Sequence, residues 1–258
     1  MNGDTTKNRV PRSDAARGDK PEDSMETLHR QATVDARASA VSVYMNQVYM
    51  WMTAGLGFTA LVAWQIASSQ AALQFIFSNT FVLIGLIIAQ FGLVIALSAA
   101  VHRFSAGTAT AMFLLYSGLT GVTLSSIFVV YTMASIANAF LVTAGTFGAM
   151  SVYGTVTKRD LTGMGSFLFM GLVGLVIAMV VNIFLQSSMM DFVISGLGVL
   201  IFTGLTAYDT QKLRQFGMNA PLDDVTALRR GAILGALTLY LDFINLFLML
   251  LRLFGDRE

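Results

Sequence analysis

The chain has 258 residues, of which 55% are hydrophobic and only 12% are charged, and its formal net charge is +1. Soluble domains carry about 25% charged residues, so this composition excludes an ordinary soluble globule and predicts an all-α membrane protein. The near-neutral charge, without a basic stripe, argues against nucleic-acid binding. The absence of cysteine excludes disulfides, thiol catalysis and cysteine metal sites.

The first 44 residues form a polar segment with seven Lys or Arg, seven Asp or Glu and two of the three prolines. Such a composition is typical of disorder, and we predict a largely disordered cytoplasmic tail over 1–44. An alternative is that residues 24–44 continue the first helix as a surface segment. The tail lacks the apolar core of a signal peptide, and its acids argue against a mitochondrial transit peptide. It is either a passive extension or a handle for a partner or protease.

Residues 45–255 are predicted to form a transmembrane domain of seven helices. Each apolar segment is close to the ~20 residues that cross a bilayer, and no proline interrupts any of them. Glycines recur within the segments, and small residues let helix backbones approach closely in lipid. The predicted spans are 45–67, 79–101, 107–131, 135–156, 165–186, 191–212 and 231–254.

The basic residues orient these spans. Of the 16 Lys and Arg residues, all but Arg252 and Arg257 lie in the tail or in the connections after spans two, four and six. The positive-inside rule therefore places the amino end in the cytoplasm and, after seven crossings, the carboxyl end outside. In an alternative topology, 231–254 re-enters and all 16 basic residues lie inside. Because the segment is long enough to cross, we predict seven crossings.

Two acidic residues, Asp209 and Asp242, lie well inside the apolar segments of spans six and seven. A charge deep in a bilayer costs at least ~2.5 kcal/mol, so such acids normally face the bundle interior and mark ion paths, proton relays or paired sites. Counting residues from the cytoplasmic ends of the two spans separates the acids by about 11 Å along the bundle axis. The sequence therefore permits their contact without requiring it.

Span seven carries a polar seam around Asp242. Thr238, Asp242 and Asn245 recur at spacings of four and three, which places them on one helical face. Met249 and Arg252 continue the same face. A helix that is apolar all round except for one seam suits a central position in a bundle. An alternative is that Thr238 and Asn245 only join helices by hydrogen bonds.

If Asp209 and Asp242 meet, they cannot both ionise cheaply, and the pair is expected to share one proton. The singly protonated pair would tie spans six and seven together, whereas the doubly ionised pair would repel or recruit a cation. Because oxygen ligands suit Ca²⁺, we predict that the pair is a pH sensor and a transient calcium ligand on a cation pathway. No resident cofactor is expected.

Four stretches carry a resemblance to the Bax inhibitor family, in its bacterial branch. The resemblance covers about residues 45–255, and AYDTQ and LYLDFINLF are its most specific blocks. It implies a fold in which the last of seven helices lies in the centre of the other six. It also implies a pH-sensitive calcium leak in the inner membrane, with Asp209 and Asp242 as a di-aspartyl sensor. The four stretches are GLTGVTLSSIF at 118–128, FGAMSVYG at 147–154, LIFTGLTAYDTQKL at 200–213 and LYLDFINLFLMLLRLFG at 239–255.

The second span departs from the pattern of several bacterial relatives. Those relatives have an acid and an arginine there, and the arginine can pair with the span-six Asp when the pore is shut. Gln90 and Ala100 stand where these charges are expected, and Arg103 lies just beyond. Either Arg103 takes over as the gating counter-charge, or this lock is missing.

Two other functions stay open. Some bacterial relatives interact with a membrane-anchored ATP-dependent protease, so the chain could be a non-conducting regulator of such a partner. An intramembrane aspartyl protease also has two membrane Asp residues, and its Tyr-Asp motif is matched by Tyr208 and Asp209. Its Gly-x-Gly-Asp motif is not matched, because the bulky run 239–241 precedes Asp242. No enzyme activity is therefore predicted.

Overall fold

A computed structural model describes residues 21–100, 103–220 and 225–256, and the elements of these residues are α-helices. The chain divides after Ser39, and the bundle belongs to the unit Ala40–Glu258. The helices are α1 Pro21–Ala67, α2 Gln70–Ser78, α3 Thr80–Ala100, α4 Ala106–Leu124, α5 Ile127–Val130, α6 Met133–Val156, α7 Thr162–Leu185, α8 Ser188–Asn219 and α9 Val225–Phe254.

Seven segments of the described chain are long and apolar enough to cross a membrane, which confirms the predicted number of spans. Spans six and seven correspond to α8 and α9. The first and sixth segments are longer than predicted, because both helices continue into polar sequence. The segments are Leu28–Ala67, Thr80–Ala99, Ala106–Val130, Met133–Val156, Thr162–Leu185, Ser188–Asn219 and Thr226–Phe254.

The amino-terminal segment differs from the main prediction. Helix α1 begins at Pro21 and runs for 47 residues, so residues 21–44 are helical rather than disordered. Proline suits the first position of a helix, and neither proline nor glycine follows until Gly55. The alternative prediction of a helical extension therefore describes this segment better. Residues 1–20, the rest of the predicted tail, lie outside the described residues.

Helix α9 forms the core of the bundle. Buried residues make up 67% of its apolar window, against at most 33% in any other candidate span of the described chain. It packs against α4, α6 and α8, and its Tyr240 reaches Thr59 of α1. The last helix is therefore central, as the sequence predicted. Its enclosure by all six other spans stays a prediction.

Helix α9 is also continuous. Its 30 residues extend for about 45 Å at 1.5 Å per residue, which exceeds the ~30 Å hydrocarbon core of a bilayer. A continuous helix of this length favours a complete crossing over re-entry. The side on which each terminus lies stays a prediction.

Helices α8 and α9 run antiparallel in a register that glycines fix. The ring of Phe216 lies against Gly231 near one end of the pair, and the side chain of Met249 lies against Gly198 near the other. At both glycines a Cβ atom would come within 2.7 Å of the facing side chain. These close approaches set the relative level of every residue between them.

Candidate functional site

The structure brings Asp209 and Asp242 together. Their carboxyl groups lie close enough to interact directly, and Asp242 is buried, with 5% of its surface exposed. Both line a cavity of about 660 Å³ bounded by α7, α8 and α9. Because carboxylate oxygens only accept hydrogen bonds, a hydrogen bond between the two groups requires a shared proton.

The register explains why counting from the ends of the predicted spans overstated their separation. Measured from the level of Phe216 and Gly231, Asp209 lies about 10 Å and Asp242 about 16 Å along the axis, at 1.5 Å per residue. The difference is therefore about 6 Å rather than 11 Å. Cα–Cβ bonds tilt toward the amino end of each helix, so in this antiparallel pair the two side chains lean toward each other. That tilt closes the gap.

One oxygen of the pair has no partner. Within the described residues, Asp242 Oδ2 is the buried side-chain oxygen or nitrogen that lacks a hydrogen bond. An unsatisfied buried polar atom costs about 1–3 kcal/mol, and more when it is charged. Such atoms are rare in native structures and often have a functional reason. The pair is therefore a site at which an additional proton, water or cation would be stabilised.

Thr238 and Asn245 line the same cavity, as the polar seam predicted. Their polar side chains bond to their own helix rather than to a neighbour. Thr238 Oγ1 donates to the carbonyl oxygen of Leu234 at 3.1 Å, and Asn245 Nδ2 donates to that of Leu241 at 2.8 Å. These bonds do not join helices. The two residues instead make one wall of the cavity polar.

Comparison with known proteins identifies the family of this chain. The family model described as Inhibitor of apoptosis-promoting Bax1 matches residues 41–258. The chain belongs to the Bax inhibitor family. The inner membrane protein YbhL of Escherichia coli K12 is 56% identical over 91% of this chain and 100% of its own length. A chain from Borreliella burgdorferi is 52% identical over 83% and 92%, and one from Deinococcus radiodurans is 43% identical over 90% and 96%.

In this member of the Bax inhibitor family, the AYDTQ block holds three helices in contact around Asp209. A Cβ on Gly154 of α6 would clash with the carbonyl oxygen of Ala207, and a Cβ on Gly165 of α7 would clash with the ring of Tyr208. A side chain on Gly154 would therefore displace the backbone of α8, and one on Gly165 would displace the Tyr208 ring. The two residues before Asp209 therefore fix its level against α6 and α7.

The two residues after Asp209 complete this attachment. The hydroxyl of Thr210, fully buried, lies 3.5 Å from Ser151 Oγ on α6. Gln211 clamps the α6–α7 connection: its Nε2 donates to the carbonyl oxygen of Arg159 at 2.8 Å, and its Oε1 accepts from the backbone N–H of Leu161 at 2.9 Å. Sequence reasoning did not identify Gln211. A polar residue two positions from a membrane acid was the available signal.

Lys212 is a cation beside the acidic pair, and sequence reasoning did not identify this role. It lines the central cavity and a second cavity of about 630 Å³ toward the ends of α8 and α9. Its charge acts on Asp209, and its Nζ lies 5.8 Å from the centre of the Tyr208 ring. Residues three apart on a helix are neighbours, so the spacing from Asp209 to Lys212 could have indicated it.

The predicted counter-charge, Arg103, is placed elsewhere. In the described part of the chain it is exposed and lines neither of these two cavities. Gln90, where a charge was expected in the second span, donates from Nε2 to Thr123 Oγ1 of α4 at 2.7 Å. Lys212, and not Arg103, therefore lies beside the acidic pair in the described structure.

Proposed function

We propose that this protein is a pH-sensitive calcium leak channel of the inner membrane, gated by the proton that Asp209 and Asp242 share. The observation that supports this most strongly is the contact of two carboxyl groups from two membrane helices inside one cavity, with one oxygen left unsatisfied. Acids at such depth mark ion or proton paths. The inner-membrane location follows from the similarity to YbhL, which is described as an inner membrane protein.

The gating chemistry follows from the charge on the pair. With one shared proton, the carboxyl groups form a hydrogen bond that joins α8 to α9. Without it, two like charges lie close together, and they repel or draw in a cation. A change of pH therefore alters both the contact between two helices and the attraction of the cavity for positive ions.

The donor set suits a passing ion. Ca²⁺ takes six to eight oxygen ligands, and no three His, Cys, Asp or Glu side chains in the described residues could hold a metal together. Asp209 and Asp242 would act as transient ligands, with water completing the shell and the polar wall of Thr238 and Asn245 beside it. A partly hydrated ion bound this weakly can leave again, which conduction requires.

We propose no catalytic role for the pair. In the run before Asp242, Leu239 and Tyr240 are fully buried. Their bulk covers the backbone where an aspartyl protease would need room for a substrate.

The test is calcium flux into proteoliposomes that contain the purified protein, stepped from pH 8 to pH 5. We expect a leak whose pH dependence is flattened by Asp209→Asn and by Asp242→Asn. Asp160→Asn is the matched control in the α6–α7 connection. The hydroxyl and the backbone N–H of Thr162 donate to Asp160 and hold its pKa below the usual value. Asp160 therefore stays ionised throughout this pH range, and its replacement should leave the profile unchanged.

The absence of a leak at every pH, from protein shown to be folded, would refute the channel assignment. The alternative of a non-conducting regulator that binds a membrane-anchored ATP-dependent protease would then be favoured. The observation that speaks for it is the exposed helical segment 28–39 of α1. The acidic pair would in that case only adjust stability with pH.

A further inference from the structure

A third cavity, of about 760 Å³, lies toward the opposite end of α8 from Lys212. It will be called the outer chamber, and the 660 Å³ cavity around the acidic pair the central chamber. Met179 of α7 lines both chambers, so they adjoin. Along α8, Asp191 and Ser195 line the outer chamber, and Phe202 and Asp209 line the central one. One face of α8 therefore passes from one chamber to the next.

Between the residues that line the two chambers, that face of α8 carries a glycine. Gly198 follows Ser195 by three residues and precedes Phe202 by four, so it occupies the same face between the chambers. A Cβ at Gly198 would lie 2.7 Å from both Cγ and Sδ of Met249. Met249 belongs to the seam of α9 and is buried, with 3% of its surface exposed. Its thioether side chain thus fills the space that the missing side chain leaves.

The lining of the outer chamber is polar and carries charges of both signs, Asp191 of α8 and Arg252 of α9. Asp191 is exposed there, and its Oδ1 accepts a hydrogen bond from Asn182 Nδ2 at 2.6 Å. Asn182 is buried and is itself fixed, because its Oδ1 accepts from the backbone N–H of Ser187 at 3.1 Å. The carboxylate is therefore held in place at the wall of the chamber. Acidic side chains at pore mouths favour cations.

We infer that Met249, seated in the space over Gly198, is an apolar plug between two chambers of one route, and that Asp191 marks the entrance on the far side of the plug. The inference rests on the proposed function only for the identity of the ion. Apolar constrictions stop ions by excluding water. A flexible, unbranched thioether closes such a gap and can leave it by rotating its own bonds.

The chain contains no cysteine, so single cysteines can report which chamber a reagent reaches. Ser188→Cys, in the exposed wall of the outer chamber, identifies the side of the bilayer from which that chamber opens. Asn245→Cys lies in the central chamber, one helical turn from Met249. A positively charged, membrane-impermeant methanethiosulfonate reagent is added to one side of sealed proteoliposomes, and the rate of modification is measured.

From the side on which Ser188→Cys reacts, we expect Asn245→Cys to react slowly in the otherwise native chain. Adding Met249→Ala should raise that rate at least about tenfold, which corresponds to a barrier lowered by about 1.4 kcal/mol. Gly198→Ala is a second route to the same result, because the added methyl displaces the Met249 side chain. Met170→Ala, on the exposed surface of α7, should leave the rate unchanged.

Rapid modification of Asn245→Cys with Met249 intact would overturn the inference, since the route would then be open without displacing the plug. A rate that stays low in both Met249→Ala and Gly198→Ala, with folded protein, would also overturn it, because the barrier would lie elsewhere. Modification does not require calcium conduction. A failed calcium leak with the expected labelling pattern would therefore count against the proposed ion and leave the plug in place.

Discussion

The two faces of α9 each carry a buried polar side chain, but the two side chains differ in packing and in hydrogen bonding. Tyr240 is fully buried, its hydroxyl lies 2.7 Å from Thr59 Oγ1, and its ring meets those of Phe113 and Tyr116 edge-on at 5.7 and 5.8 Å. Asp242, two residues later, faces a cavity and keeps one oxygen without a partner among the described residues. The Tyr240 face is closely packed and its polar group is hydrogen-bonded. The Asp242 face borders a cavity and has a carboxyl oxygen without a hydrogen bond.

This difference indicates which contacts of α9 are fixed and which can change. Close-packed, hydrogen-bonded surfaces resist displacement, so the contact of α9 with α1 and α4 is expected to be rigid. The cavity between α7, α8 and α9 leaves room for movement, and the proposed loss of a proton from the acidic pair would change the charge there. A response to pH is therefore expected to displace α8 and α7 relative to a stationary α9.

The largest effect should come from breaking the packed face. Tyr240→Ala removes a fully buried aromatic ring and its hydroxyl, and it is expected to lower the free energy of unfolding by about 3–5 kcal/mol. Chemical unfolding in detergent micelles at one pH measures this loss. Tyr153→Ala, which truncates a partly exposed tyrosine of α6, is the control and should cost far less. A loss below about 1 kcal/mol for Tyr240→Ala would contradict the rigid-face interpretation.

The second-largest effect should be a dependence of the free energy of unfolding on pH. Under the proposed gating chemistry, the folded pair holds a proton that the unfolded chain releases, so stability should be higher at pH 5 than at pH 8 by about 1–3 kcal/mol. Asp242→Asn should remove most of this difference. Tyr240→Phe should instead cost about 1 kcal/mol equally at both pH values, since Thr59 keeps its bond to the carbonyl oxygen of Ser117 at 2.9 Å.

Unfolding curves of the native chain, Asp242→Asn and Tyr240→Phe at pH 5 and pH 8 test these two expectations. Equal pH dependence in the native chain and in Asp242→Asn would show that the stability of the fold does not depend on the shared proton.

The smallest effect should be a shift in the pH midpoint of the calcium leak when the charge of Lys212 is removed. Lys212→Met removes a positive charge that favours the ionised form of Asp209, so the pair should keep its proton to higher pH. The midpoint of the calcium leak is expected to move upward by less than about one pH unit, because Lys212 is exposed and partly screened. Lys158→Met, in the exposed α6–α7 connection, is the matched control. A downward shift would mean that Lys212 acts other than through its charge.

Signals that are local in sequence predicted much of this structure. The length of each apolar run gave the seven spans, and a lone acid in an apolar run marked Asp209 and Asp242 as interior residues. The seam of Thr238, Asp242 and Asn245 needed only helical spacing, and all three line the central chamber. Each of these features depends on a single segment, and hydrophobicity and periodicity describe single segments well.

Features that depend on how two helices fit together could not be predicted. The contact of the two acids required the register of α8 against α9, which close approaches at Gly198 and Gly231 determine. Gln211 is identified only by the connection that it clamps. The start of α1 at Pro21 was missed for another reason: charged sequence resembles disorder in composition, although residues 22–44 contain neither proline nor glycine, the residues that most disfavour a helix.

The burial of α9 has a consequence for biosynthesis. Among the candidate spans of the described chain, α9 has the most buried apolar window and follows the other six in sequence, so those six enter the membrane before the segment that fills their interior exists. The amino-terminal half of the bundle must then remain incompletely packed until the ribosome has passed Phe254. A premature stop before α9 would remove the centre of the bundle, and quality-control proteases would encounter six spans without the helix that fills their interior.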